Sequence, residues 1–197
     1  MATAKRTPKK DPTTLAQKLA IIDEAISRPS DYTDHIIIHG DPHWKQSPIY
    51  RNGLVQLTTW MAERYKGATV ISTGDQTDTS GPDWDTFALM AESLKRFAKC
   101  SSEGKTYYLD GNHTQSRPKG SMSEGIKLLD GVVTAAHKPT EMTIVGKRVL
   151  FLPHLDWDYA SMRAYDELEG EYDLVVLHAT PGWAVPSMAD AVYLPKI

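Results

Sequence analysis

The sequence predicts an α/β layered domain built on a largely parallel sheet. Three observations carry this. Apolar, β-branched runs alternate with stretches of helical periodicity. Four of these runs, "HIIIH", "TVIST", "TYYLD" and "DLVVL", are short and continuous, as strands buried on both faces are. A hairpin-like pair, 141–145 and 148–152, interrupts the alternation around Gly146-Lys147 and adds a second or mixed sheet.

The elements follow in order. Residues 1–12 are polar and basic, and read as a mobile tail ahead of a domain spanning 13–197. Leu15, Leu19, Ile22 and Ile26 recur at helical spacing. Strand one covers 35–39. A second helix places Leu54, Leu57, Met61 and Tyr65 on one side. Strand two covers 69–73. The next helix opens near Asp83, with Phe87, Met90, Leu94 and Phe97 facing inward. Strand three covers 106–109, a short helix 123–129 and a short strand 132–135. After the hairpin come a helix over 159–168 and a last buried strand over 173–177.

Composition bounds the function. Hydrophobic residues make up 41% of 197, enough for a core. The net charge of -3 argues against a protein that binds nucleic acid by overall charge. Cys100 stands alone, which excludes an internal disulfide, and it reads as a packing residue. No run approaches 18 apolar residues, so no membrane span is expected. The start, "MATAKRTPKK", lacks an apolar segment and is not a secretory signal, so a cytoplasmic location is expected.

The strand ends carry the chemistry. They read "GDPHW", "GDQTD", "GNHT" and "HATPGW". Open α/β sheets bind ligands beyond the carboxyl ends of their strands. Glycines at 40, 74 and 111 allow sharp turns there. Asp41, His43, Asp75, Asn112 and His178 offer oxygen and imidazole donors without sulfur. Such a set suits manganese, iron or zinc better than copper or calcium. A carboxylate from the second strand end could bridge two ions about 3.5–4 Å apart, a clamp suited to attack on phosphorus.

In order, "GDPHW…GDQTD…GNHT…LHATP" resembles the calcineurin-like metallophosphoesterase superfamily, over about 34–181. The resemblance implies two packed mixed β-sheets flanked by helices, an α/β/β/α sandwich. It implies two divalent ions, manganese first, with iron, zinc and nickel as alternatives. Asp41 and His43 would hold the first ion, Asp75 would bridge, and Asn112 and His178 would hold the second. His113 would be the catalytic residue, contacting phosphate and protonating the leaving oxygen.

This sequence departs from the pattern in two places. The superfamily's GHxH motif has no counterpart, and His178 is the last histidine. The expectation is a chain, and hence a fold, cut short before that motif, with a degenerate or differently completed site as the alternative. Thr114 replaces the acid that commonly follows "GNH" and orients its histidine.

The remaining candidates have blander readings. Asp78 is expected to support the metal ligands from behind or to cap the turn, with metal ligation as the alternative. His154 reads as a loop histidine, with a stand-in for a missing ligand as the alternative. His39 reads as a satisfied core residue, and His35 and His137 as surface. Trp44, Trp84 and Trp157 read as packing, with base stacking as the alternative. Serine/threonine phosphatases of the superfamily carry GDxVDRG, and "GDQTDTS" lacks that arginine. The favoured function is therefore phosphodiester hydrolysis by metal-activated water, with DNA as one substrate. A phosphomonoesterase, or a binding module with an impaired site, are the alternatives. Oligomeric state is not legible.

Overall fold

The computed structural model describes residues 14, 17, 20, 32–78, 82–113, 122–154, 170–178, 180–181 and 191–192. The chain divides into two compact units, Met1–Ser30 and Asp31–Ile197. In the first, Thr14 N donates to Gln17 Oε1 at 2.9 Å and Gln17 N to Thr14 Oγ1 at 3.4 Å. This reciprocal pairing opens a helix, and Gln17 and Ala20 are helical. The predicted tail, the rest of that helix and the helix over 159–168 lie outside the described residues.

The second unit runs β1 (Ile36–His39), α1 (Pro48–Arg64), β2 (Thr69–Ser72), α2 (Trp84–Cys100), β3 (Thr106–Leu109), α3 (Met122–Lys127), β4 (Val133–Ala136), β5 (Thr140–Ile144), β6 (Lys147–Leu152), β7 (Leu174–Leu177), β8 (Thr180–Pro181) and β9 (Ala191–Val192). One sheet has the order β1-β2-β3-β4, all parallel. A second has the order β5-β6-β7, with an antiparallel hairpin and a parallel β6–β7 pair. β8 and β9 form a small parallel pair.

Strand alternation builds two layers of core. Ile71, Tyr107 and Leu109 on one face of the first sheet pack with Val149, Phe151 and Val176 of the second. Val70 and Tyr108 point the other way, into clusters with Ala62, Met90, Leu94 and Phe97 of α1 and α2. The expected pair of packed sheets with helices outside is present.

Details differ from expectation for physical reasons. β1 is an edge strand among the described residues, and Ile38 is 47% exposed, so this strand is not buried on both faces. The buried line of α1 is Leu54, Thr58 and Ala62, with Leu57 and Met61 beside it and Tyr65 at the C-cap. A threonine fits there because Thr58 Oγ1 bonds Leu54 O at 2.9 Å and lies 3.1 Å from Ser93 Oγ of α2. α2 starts where predicted, with Asp83 accepting from Thr86 N at 2.7 Å. The hairpin turn is Val145-Gly146, one residue earlier than expected, with φ of 43° and 75°. Two successive positive φ values suit a tight hairpin, and valine adopts one at a cost. Glu103 helps hold it, accepting from Val145 N and from Tyr107 Oη, each at 2.8 Å.

His39 is buried, as expected, but not satisfied. Its Nδ1 has no hydrogen-bond partner among the described residues, and its ring lies edge-on to Phe97. Burial lowers its pKa to about 4, against a smaller opposing pull from Asp41. The folded pKa is therefore below the ordinary value of 6.5, and the unfolded chain binds the extra proton between pH 6.5 and 4. Stability should be unaffected by this group above pH 6.5 and fall by on the order of 3 kcal/mol on acidification toward pH 4. Urea unfolding of wild type and His39→Leu at pH 7.5, 5.5 and 4.5 checks this. The variant should lose less stability over that range, and parallel pH curves would refute the assignment.

Candidate metal centre at the carboxyl edges of the sheets

The loops after β1 and β2 are zipped together by main-chain bonds. His43 N donates to Asp75 O at 3.0 Å, Trp44 N to Gln76 O at 2.7 Å, and Asp78 N to Trp44 O at 3.2 Å. Both His43 and Asp75 have positive φ, 45° and 37°. For residues with side chains this is strained backbone, of order 1–3 kcal/mol each. Trp44, only 2% exposed, anchors the zipper in the core beside Met90 and Tyr108.

Two glycines make the approach possible, by different means. Gly74 has φ of 105°, and a Cβ there would lie 2.5 Å from His178 Nδ1. A Cβ on Gly111 would collide with the Asp75 carboxylate and amide. Gly40, expected to do similar work, has room: its nearest neighbour to a Cβ would be Thr73 Oγ1 at 3.8 Å.

The Asp75 carboxylate, 3% exposed as a residue, is the focus of the site. Its Oδ1 accepts from His113 N at 2.9 Å. Its Oδ2 faces three imidazole Nε2 atoms: His178 at 3.4 Å, His43 at 3.8 Å and His113 at 3.9 Å. Burial pushes the Asp75 pKa up, but bonds from His178 and His113 outweigh it and leave the net shift downward. Asp41 Oδ1 lies 3.5 Å from His178 Nδ1, and that contact is the chief cause of its lowered pKa. Asn112 Oδ1 is 3.0 Å from His178 Nε2.

Backbone carbonyls orient two of the rings. His178 Nδ1 donates to Thr73 O at 2.7 Å, and His113 Nδ1 to Asp78 O at 2.8 Å. A carbonyl only accepts, so each Nδ1 carries a proton and each Nε2 is left facing Asp75. Thus His113, which lacks an acid at position 114, is held by main chain. The side chain of Asp78 also lies 3.5 Å from His43 Nδ1 and 3.4 Å from Lys45 Nζ. Asp78 thus stands behind both His43 and His113. These carbonyl contacts left no trace in the sequence, because any residue supplies a carbonyl.

Other expectations are redistributed. His137 is exposed, as expected, and also bonds the buried Asp110 through Nδ1 to Oδ2 at 2.6 Å. Trp84 is 74% exposed and stacks on Phe87, while Trp44 is core, so these two stand in different surroundings. Trp157 lies outside the described residues. Cys100 packs against the Ala62–Val70–Phe97 cluster.

The donor set fits a divalent cation. Ligand atoms of His43, Asp75 and His113 all lie within 4.8 Å of one another. Two ligands bound at about 2.1 Å to one ion lie about 3–3.5 Å apart. The observed Nε2-to-Oδ2 separations of 3.4–3.9 Å are close to that spacing.

Two predictions follow from this geometry. Gly111→Ala should cost about 1–3 kcal/mol through overpacking and lower bound metal, because its methyl displaces Asp75. Urea unfolding and metal analysis check both. The second concerns protons. Burial opposes charging of His178, but its contacts with Asp41, Asp75 and Thr73 O raise its pKa to about 10. At pH 7.5 this ring is therefore protonated, and if His178 is a ligand through Nε2, loading an ion should release about one proton. Calorimetry of cobalt binding in two buffers of different ionisation enthalpy reads that number, and His178→Ala should abolish it.

A family model for calcineurin-like phosphoesterases matches residues 35–193, most of the chain. A search of curated proteins found no match. The strand-end residues gathered around Asp75 fall within the matched span, and the chain belongs to the calcineurin-like phosphoesterase family.

Proposed function

We propose that this chain hydrolyses phosphodiesters with two divalent ions, manganese foremost, and that DNA is among its substrates. The observation that supports it most is the single buried carboxylate oxygen of Asp75 facing three imidazole nitrogens. In this reading Asp41 and His43 hold one ion, Asn112 and His178 the other, and Asp75 both. Bound ions supply Lewis acidity and lower the pKa of water at the site.

The chain's own residues supply the rest. His113, with Nδ1 fixed on Asp78 O, presents Nε2 toward the site at 3.9 Å from Asp75 Oδ2. In its protonated form that nitrogen donates to the oxygen leaving phosphorus. DNA needs this proton, because its leaving group is an alkoxide, whereas p-nitrophenolate leaves without it; the effect of losing His113 is therefore read on DNA. Gln76 and Thr77 are 1% and 0% exposed, so neither reaches substrate, and the stretch "GDQTDTS" brings no arginine to grip a phosphomonoester dianion.

Hydrolysis of bis-p-nitrophenyl phosphate, single-stranded DNA, p-nitrophenyl phosphate and a phosphoserine peptide in manganese tests the substrate class. Diesters should be preferred. Fast monoester cleavage with no diester cleavage would favour a phosphomonoesterase, and no cleavage of any would favour a binding module. Two variants test the roles. Asp75→Ala should lose all bound metal. His113→Ala should keep it and turn over roughly 10²–10⁴ times more slowly. Equal metal loss in both would make His113 a ligand, as its place beside His43 and Asp75 allows.

A further inference from the structure

We propose that His154 is a substrate-binding residue that donates a hydrogen bond to a non-bridging oxygen of the phosphoryl group being cleaved. The inference rests on the phosphoesterase reading above and adds a residue to that site.

Its position comes from the second sheet. β6 and β7 are parallel neighbours with Leu152 opposite Leu177, and His178 N donates to Leu152 O at 3.0 Å. His154 therefore leaves the same sheet edge as His178, one strand over. Its main chain is tied to the first sheet, since His154 N donates to Asp110 O at 2.9 Å. Asp110 immediately precedes Gly111-Asn112-His113. It is buried, bonds Ala136 O through its own N–H at 3.2 Å, and holds His137. The backbone at 154 is thus fixed to the residue from which the "GNH" loop departs.

Ring separation sets His154 apart from a ligand placed beside His178 on the same ion. Its ring is perpendicular to that of His178, with centroids 6.4 Å apart. Two imidazoles bound side by side to one ion at about 2.1 Å have centroids about 4.5–5.3 Å apart. His154 and His178, at 6.4 Å, stand further apart than neighbouring ligands of one ion. A phosphate oxygen changes the distance. An imidazole N–H donating at about 2.8 Å to such an oxygen stands one atom further out than a ligand does. The 6.4 Å gap accommodates an oxygen between the His154 ring and whatever His178 holds. His154 is half-buried, so the ring has a solvent-facing side for substrate.

The test compares manganese-loaded wild type with His154→Phe, His154→Ala and His154→Gln. Phenylalanine keeps bulk without a donor, alanine removes both, and glutamine keeps an N–H near the position of Nε2. Each protein is assayed for orthovanadate inhibition, for kcat and KM on bis-p-nitrophenyl phosphate, for bound metal and for its circular dichroism spectrum. Loss of one charge-assisted hydrogen bond should raise the vanadate inhibition constant roughly 10–100-fold in Phe and Ala. Metal content should stay at the wild-type level, and Gln should recover part of the inhibition. If one of the donorless variants misfolds by circular dichroism, the other carries the comparison. An unchanged inhibition constant, or metal lost in step with activity, would overturn the proposal. A wild-type protein that hydrolyses no phosphoester would instead overturn the reading beneath it, and the proposal with it.

Discussion

Everything at the site depends on burying one carboxylate where three imidazoles can reach it. An isolated buried carboxylate is costly and would take up a proton. Asp75 stays ionised because a main-chain N–H from His113 and the ring of His178 donate toward it. A cation at the same spot serves the same electrostatic need. The buried carboxylate can thus be balanced either by proton donors, as the ring of His178 does here, or by a cation. The cost is taken by the backbone. Positive φ at His43 and Asp75 and the absence of a Cβ at Gly111 are the conditions for closing the carboxylate in.

The two sheets meet at this point, above the core they share. Tyr107 stacks on Phe151 in the shared core, at 6.3 Å between centroids. At the carboxyl edge, His178 at the end of β7 bonds Thr73 O at the end of β2, and His154 at the end of β6 bonds Asp110 O at the end of β3. Sheet packing and site assembly are thus the same set of contacts seen at two depths. A substitution that slips β6 against β7 by one residue would reverse their inward faces and remove His178 from Asp75 together.

What was legible in the sequence was whatever side chains announce. Period-2 and buried runs located β1, β2, β3 and β7, and Asp83 marked the start of α2. Polar residues after each strand marked the edge where Asp41, His43, Asp75, Asn112, His113 and His178 now stand. What was not legible was set by main chain and by context. The exposure of β1 follows from its place at the sheet edge, which pairing order alone decides. The buried face of α1 runs through Thr58 because Ser93 on another helix shares its hydroxyl. The bond from the exposed His137 to Asp110 joins residues 27 positions apart, which no local pattern signals.

The replacement of an acid by Thr114 also has a structural meaning. In a site where a carboxylate orients the histidine of "GNH", that orientation can be lost by changing one side chain. Here the acceptors for His113 and His178 are the carbonyls of Asp78 and Thr73, on the two flanks of Asp75. One loop of six residues, 73–78, thereby places the central carboxylate and fixes the tautomer of two imidazoles. Side-chain changes at 114 are tolerated by such an arrangement, whereas anything that relaxes the strained φ of Asp75 moves three functional groups at once. The precision of the site therefore resides in the backbone of that loop. The zipper to His43, Trp44 and the core beneath it holds that backbone in place.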